Sequence, residues 1–226
     1  MVGGHGKLGR VKKLSVVLLP ACLLLVSACG DANQSAPGDD TVQAVTCSYP
    51  VSGDPATPVD PPPSTDVSNV GTATATIHLT AGDVEIELDR ANTPCTVNSF
   101  VSLARQGYFD DTECHRLTDT GIFVLQCGDP TATGMGGPGY SFEDETASDM
   151  TYPAGTVAMA NAGPDTNGSQ FFLVWDDTEL PPDYTVFGTM DQAGLDVVAG
   201  IAAQGVAAED GTSPIAEARI DAVTLG

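Results

Sequence analysis

The sequence predicts a mainly β fold, an antiparallel sheet closed into a barrel with helical plugs. Two observations carry this. Short runs of alternating apolar and polar residues recur from Ala73 to the C-terminus, separated by turn residues. Only two stretches space their apolar residues at a helical period. Many short strands with few helices must hide their edges, and closing the sheet does so.

Ala73–Leu79 (ATATIHL) and Val84–Leu88 (VEIEL) alternate and are joined by Thr80-Ala81-Gly82-Asp83, a β-hairpin pattern. His78 reads as an ordinary strand residue, since no second histidine or cysteine gives it ligand spacing. Thr93 is placed to cap a helix with Pro94 at its first position. Val97, Phe100, Val101 and Ala104 form one buried stripe, and Gly107 ends the helix. Cys114–Leu117 and Ile122–Gln126 form a second hairpin across Thr118–Gly121. Gly128–Ser141 is a glycine-rich loop without the Lys-Ser/Thr ending of a phosphate loop, so nucleotide binding is not supported. Thr156–Met159, Phe171–Val174 and Thr185–Met190 are further strands. Leu195, Val198, Ile201 and Ala202 make the second helical stripe, ended near Gly205, and Ala218–Leu225 closes the chain.

Ahead of this domain the sequence changes character twice. Residues 1–13 are basic, Leu14–Leu25 is an apolar run too short to span a bilayer, and small residues follow. That order is a secretory signal over residues 1–28. It ends in Val26-Ser27-Ala28-Cys29, which resembles a bacterial lipobox and makes Cys29 the expected lipidation site. Residues 29–70 are rich in Pro, Gly, Ser, Thr and Asp and show no period. Such a segment buries too little apolar surface to offset its chain entropy, so a disordered tether is expected, with Cys47-Ser48-Tyr49 as a possible docking point. Residues 71–226 are the folded domain.

The formal charge is −22, unevenly spread. Beyond Ala28 there are four arginines, no lysine and thirty acidic residues, a net of −26. Nucleic-acid binding needs a basic surface and is excluded as an expectation. Glu143, Asp144, Glu145 and Asp149 form an acidic patch without EF-hand spacing, read as a solvated face rather than a metal site.

The stretch most informative about function is Met159–Phe172, MANAGPDTNGSQFF. Apolar strand ends flank a loop of Asn, Gly, Pro, Asp and Ser, a common setting for a binding site. With Cys114-His115-Arg116-Leu117, Gly121-Ile122-Phe123-Val124-Leu125-Gln126, Phe142-Glu143-Asp144-Glu145 and Thr185-Val186-Phe187-Gly188, it resembles the cyclophilins, the peptidyl-prolyl cis-trans isomerases, in both order and spacing. The resemblance covers about Ala73–Gly226. It implies a closed eight-stranded antiparallel barrel capped by two α-helices, with a substrate groove on its outer face. The family's catalytic arginine falls on Arg116, and its proline pocket on Phe123, Met159, Phe172 and Leu180. Gln126, Ala160, Asn161 and Gln170 match the groove that holds the substrate backbone, and Tyr184 matches a His or Tyr on the pocket rim. Leu180 stands where many eukaryotic members carry tryptophan, which argues against tight cyclosporin binding. The Arg116-to-Phe123 turn is longer than in the eukaryotic pattern.

The chemistry agrees with the residue types. Rotation about an amide costs about 18–20 kcal/mol because resonance gives C–N double-bond character. An X–Pro bond has nearly equal isomers but the same slow exchange. A catalyst must favour the twisted amide, whose prolyl nitrogen regains a lone pair. A fixed guanidinium can donate to that nitrogen, and it stays charged near neutral pH. An apolar cup holds the ring and strengthens the bond by desolvation. No cofactor, metal or general base is required. His115 neighbours Arg116 on a strand and should face away from the groove. The expected partners are proline-containing peptides and unfolded exported proteins. The membrane is met through the lipid anchor only, outside the cytoplasm, by a monomer. The alternatives are a non-catalytic proline-peptide-binding module or holdase using the same groove, and a structural envelope lipoprotein.

Apart from Cys22 and Cys29, four cysteines remain: Cys47, Cys95, Cys114 and Cys127. In an exported chain this suggests two disulfides, with three possible pairings. If Arg116 and Gln126 face one groove, Cys114 shares their face and Cys127 takes the other. That parity disfavours a Cys114–Cys127 bridge and has Cys47 bonding to the barrel. No CxxC supports a redox motif or a zinc site.

Overall fold

A computed structural model describes residues 44–226. The signal, Cys29 and the first part of the tether lie outside those residues. In chain order the elements are β1 (Ala44–Val45), β2 (Val67–Ser68), β3 (Thr72–Leu79), β4 (Gly82–Asp89), α1 (Pro94–Arg105), β5 (Thr112–Glu113), β6 (Arg116–Thr120), β7 (Ile122–Cys127), β8 (Thr156–Met159), β9 (Phe171–Val174), β10 (Val186–Met190), α2 (Gln192–Ala202) and β11 (Arg219–Leu225). The strands β1 and β2 pair separately.

The main sheet has nine antiparallel strands in the order β5-β11-β3-β4-β10-β8-β9-β7-β6. Its two end strands, β5 and β6, are consecutive in the chain and separated only by Cys114 and His115. They act as one strand interrupted at those residues. Counted so, the barrel has eight strands, with a gap in the hydrogen-bond ladder instead of strict closure. The amides of Cys114 and Leu117 bond the carbonyls of Ala218 and Thr212, which continues the closure across the break.

The barrel interior is filled from alternate strand positions: Ile77, Val84, Ile86, Leu88, Leu125, Phe171, Leu173 and Phe187 are all fully buried. Helix α1 brings its predicted stripe to this core, where the Phe100 ring lies 5.2 Å from Phe109, 5.6 Å from Phe171 and 5.5 Å from Phe187. Its start differs from expectation. Thr93 is the N-cap residue but its side chain makes no cap bond; its hydroxyl donates to the Asp89 carbonyl instead. The first-turn amides of Cys95 and Thr96, which have no partner within the helix, donate to the Glu145 carboxylate, at 3.0 and 2.8 Å. A negative charge from a distant loop does there what a local side chain would do, aided by the helix dipole. Glu145 is therefore not part of a solvated acidic face. Nor is Asp144, whose carboxylate accepts from the Asp165 amide and the Asn167 side chain.

The expected disordered tether is corrected from Ala44 onward. Cys47 is bonded to Cys95 on α1. Tyr49 packs edge-on against Tyr140 and Phe142 and donates to the Cys95 carbonyl. Asn98 donates to the Pro63 carbonyl, and Gln106 exchanges two hydrogen bonds with the Asp60 backbone. A count of apolar residues misses a crosslink and a set of side chains that satisfy the strap's backbone. The second bridge, Cys114–Cys127, also overturns an expectation. The parity argument assumed a regular strand through Cys114, but the ladder breaks there, and the break frees Cys114 to turn toward Cys127.

Candidate active site

The strands β7, β8 and β9 are apolar on both faces. One face serves the barrel interior. The other builds a second cluster outside it from Val124, Tyr152, Ala158, Phe172 and Val174, all buried. Register places its members. Arg116 pairs with Gln126, Gln126 with Phe172, and Phe172 with Ala158. One row across four adjacent strands therefore runs from a guanidinium, through an amide, to an aromatic floor. With strands about 4.8 Å apart, Arg116 and Phe172 start roughly 10 Å apart, within reach of the arginine's long side chain.

Above this row is a cavity of about 130 Å³ lined by Arg116, Ile122, Val124, Gln126, Ala160, Asn161, Phe172, Leu180 and Tyr184. The Tyr184 ring stands edge-on to Phe172 at 5.6 Å, as a rim residue should. Tyr152 supports it from below, its hydroxyl bonding the carbonyls of Tyr184 and Pro181. Burial pushes the Tyr152 phenol above its ordinary value, so it remains a neutral donor.

Arg116 is aimed by a chain of amides. Its Nη1 donates to Gln126 Oε1 at 3.1 Å; Gln126 Nε2 donates to Gln170 Oε1 at 2.8 Å; Gln170 Nε2 donates to the Gly136 carbonyl at 2.9 Å. Among the described residues Arg116 forms no salt bridge. Its charge is thus free to act on a ligand in the cavity. Asn161 donates to the Asp183 carbonyl and accepts from the Gly163 amide, which fixes the loop edge of the groove.

Two predicted pocket residues lie elsewhere. Phe123 is three residues from Gln126 and so falls on the opposite face, its ring 5.0 Å from Trp175. Met159 pairs with Phe171 and belongs to the barrel interior. Val124, which lines the cavity, and Ala158, which packs in the cluster beneath it, were legible from the period of two, counting back from Gln126 and Ala160. Tyr152 had no such signal. His115 does not line this cavity. It borders a separate cavity of about 370 Å³ that Arg116 and Gln126 also line, with both ring nitrogens enclosed and without a partner among the described residues. Burial, foremost, and the neighbouring Arg116 charge hold its pKa below the ordinary histidine value.

Residues 74–225 match the family model for the cyclophilin type peptidyl-prolyl cis-trans isomerase. The chain is 46% identical over 198 residues to the probable peptidyl-prolyl cis-trans isomerase B of Mycobacterium leprae, covering 80% of this chain and 67% of the relative. It is 47% identical over 199 residues to the protein of the same description from Mycobacterium tuberculosis, covering 79% of this chain and 63% of the relative. The chain thus spans about two thirds of the length of these curated relatives. Among solved structures it is similar to a Cryptosporidium parvum cyclophilin type peptidyl-prolyl cis-trans isomerase crystallised in the presence of the dipeptide Ala-Pro, with TM-score 0.61 and 30% identity over 68% of this chain and 98% of that one. The chain belongs to the cyclophilin-type peptidyl-prolyl cis-trans isomerase family.

Proposed function

We propose that this cyclophilin accelerates X–Pro isomerisation in exported proteins, with Arg116 donating to the prolyl nitrogen of the twisted amide. The observation that carries the reading is the row Arg116–Gln126–Phe172–Ala158, which sets a guanidinium without a salt bridge among the described residues beside an apolar floor. The proline ring rests on Phe172, between Val124, Leu180 and Tyr184. The substrate backbone follows Gln126, Ala160 and Asn161. As the amide twists, the nitrogen pyramidalises toward the guanidinium, and this hydrogen bond is stronger in the transition state than in either planar isomer. No bond breaks and no proton is transferred.

Export is supported by the order of basic, apolar and small residues before Cys29, and lipidation of that cysteine would hold the domain on the outer face of the cell membrane. The two disulfides fit an oxidising compartment. Magnetisation exchange on a short X–Pro peptide tests the mechanism. Arg116→Ala should lower kcat/KM about a hundredfold with folding intact, the scale of losing one transition-state donor. Full activity in that variant would overturn it, and peptide binding without any acceleration by the unmutated protein would mark a binding module instead.

A further inference from the structure

The proline cavity has a larger neighbour. A second cavity of about 620 Å³ shares Gln126, Ala160 and Asn161 with it, so a peptide crossing those residues must enter both. Much of its wall is the glycine-rich loop, which leaves room for a long side chain. One wall, however, comes from outside the barrel: Ser52, Gly53 and Asp54 of the strap that precedes β2.

That wall is built in. The Ser52 amide donates to the Gly139 carbonyl at 2.9 Å, the Ala56 amide to Gly137 at 2.8 Å, and the Ser141 amide to Pro50 at 3.1 Å. Gly139 has φ +82°, and a Cβ there would lie 2.9 Å from Pro55 Cδ, so the loop accepts the strap only with glycine at this position. The Cys47–Cys95 bridge and the Tyr49 stack anchor the other end. Among the described residues Asp54 is the only charged side chain lining this cavity, and it forms no salt bridge with any of them.

We infer that the strap is a specificity element, in which Asp54 selects proline peptides carrying a lysine or arginine side chain near the proline. The inference rests on the groove assignment made above. The two cavities share three lining residues and an extended chain advances about 3.3–3.6 Å per residue, so positions one to three from the proline are the ones to compare. A long aliphatic stem fits the roomy cavity, and its charged end reaches a carboxylate at the solvent edge.

The test uses peptides with lysine or its neutral analogue norleucine at each of these positions, on either side of the proline, measured by NMR for both exchange rate and binding. At one position lysine should be favoured about two- to fivefold, the scale of an exposed ion pair. The preference should vanish in Asp54→Asn and invert in Asp54→Lys. It should persist in Glu85→Gln, which removes the same charge from an exposed position on β4. A preference unchanged in Asp54→Asn, or lost equally in Glu85→Gln, would assign it to the overall negative field and overturn the inference. Binding preference is read independently of catalysis, so failure of the isomerase assignment would show as absent exchange with the lysine preference still measurable.

Discussion

Asp129→Asn is a one-atom change outside the lining of the proline cavity that should cost both stability and catalysis. Asp129 is fully buried, and its two oxygens divide the glycine-rich loop between them. Oδ1 accepts from the Thr131 amide at 2.8 Å and its hydroxyl at 2.7 Å; Oδ2 accepts from the Thr133 amide at 3.2 Å and the Gly136 amide at 3.0 Å. Asparagine keeps one oxygen but must turn an NH₂ toward the other pair of donors. Two part-buried amides then lose their acceptor at about 1 kcal/mol each, so a loss of about 2 kcal/mol is expected by urea denaturation. Gly136 follows the loop, and its carbonyl is the far anchor of the Gln170–Gln126–Arg116 chain. A guanidinium misplaced by a fraction of an ångström should lower kcat/KM about tenfold at temperatures where the variant is still folded. The carboxyl carries a pH signature as well. Burial pushes its pKa up, but hydrogen bonds from Gly136 and Thr131 outweigh burial and hold it below the ordinary aspartate value. A depressed native pKa stabilises the fold above the unfolded value of about 4 and stops doing so as pH falls through the native value. The gap between wild type and variant should therefore narrow on acidification below about pH 4. A stability loss with unchanged kcat/KM would refute the positioning chain, and no stability loss at all would refute the hydrogen-bond count.

Phe172→Leu should reduce kcat/KM about tenfold because it reshapes the floor of the proline cavity, whereas Phe123→Leu should cost about 1 kcal/mol of stability and leave kcat/KM within about twofold. Equal catalytic effects would return Phe123 to the cavity. Replacing Cys47 and Cys95 together by serine opens a loop of sequence separation 48, for which chain entropy gives about 4 kcal/mol as an upper figure. Thermal unfolding should fall accordingly, and limited proteolysis should cut first in residues 44–63. Protection of that strap in the variant would show that its hydrogen bonds suffice without the bridge.

Local pattern carried most of the fold. The two helical stripes and most of the short strands lie within a residue or two of where they were expected, because a period of 3.6 or 2 follows directly from which face must be dry; the exception is the strand expected over Cys114–Leu117, which runs over Arg116–Thr120, through the expected turn. The polar half of the site came from the family resemblance; the register that sets Arg116 opposite Gln126 turns at Gly121, whereas the expected Thr118–Gly121 turn would set Arg116 opposite Phe123. Where the chain folds against distant parts of itself, pattern was mute or misleading. Nothing near Thr93 announces that Glu145 will cap α1, and nothing in a proline-rich segment announces that it will be stapled to α1 and wall a cavity. The Cys114–Cys127 bridge goes with a ladder break at Cys114–His115, where the two ends of the sheet come together, a feature of the whole sheet and not of any local run. That Val124 lines the cup and Ala158 packs beneath it, while Phe123 and Met159 do neither, is decided in the same way. Residues apolar on both faces of a strand look alike in one dimension, and only the curl of the sheet decides which face becomes the core and which becomes the cup.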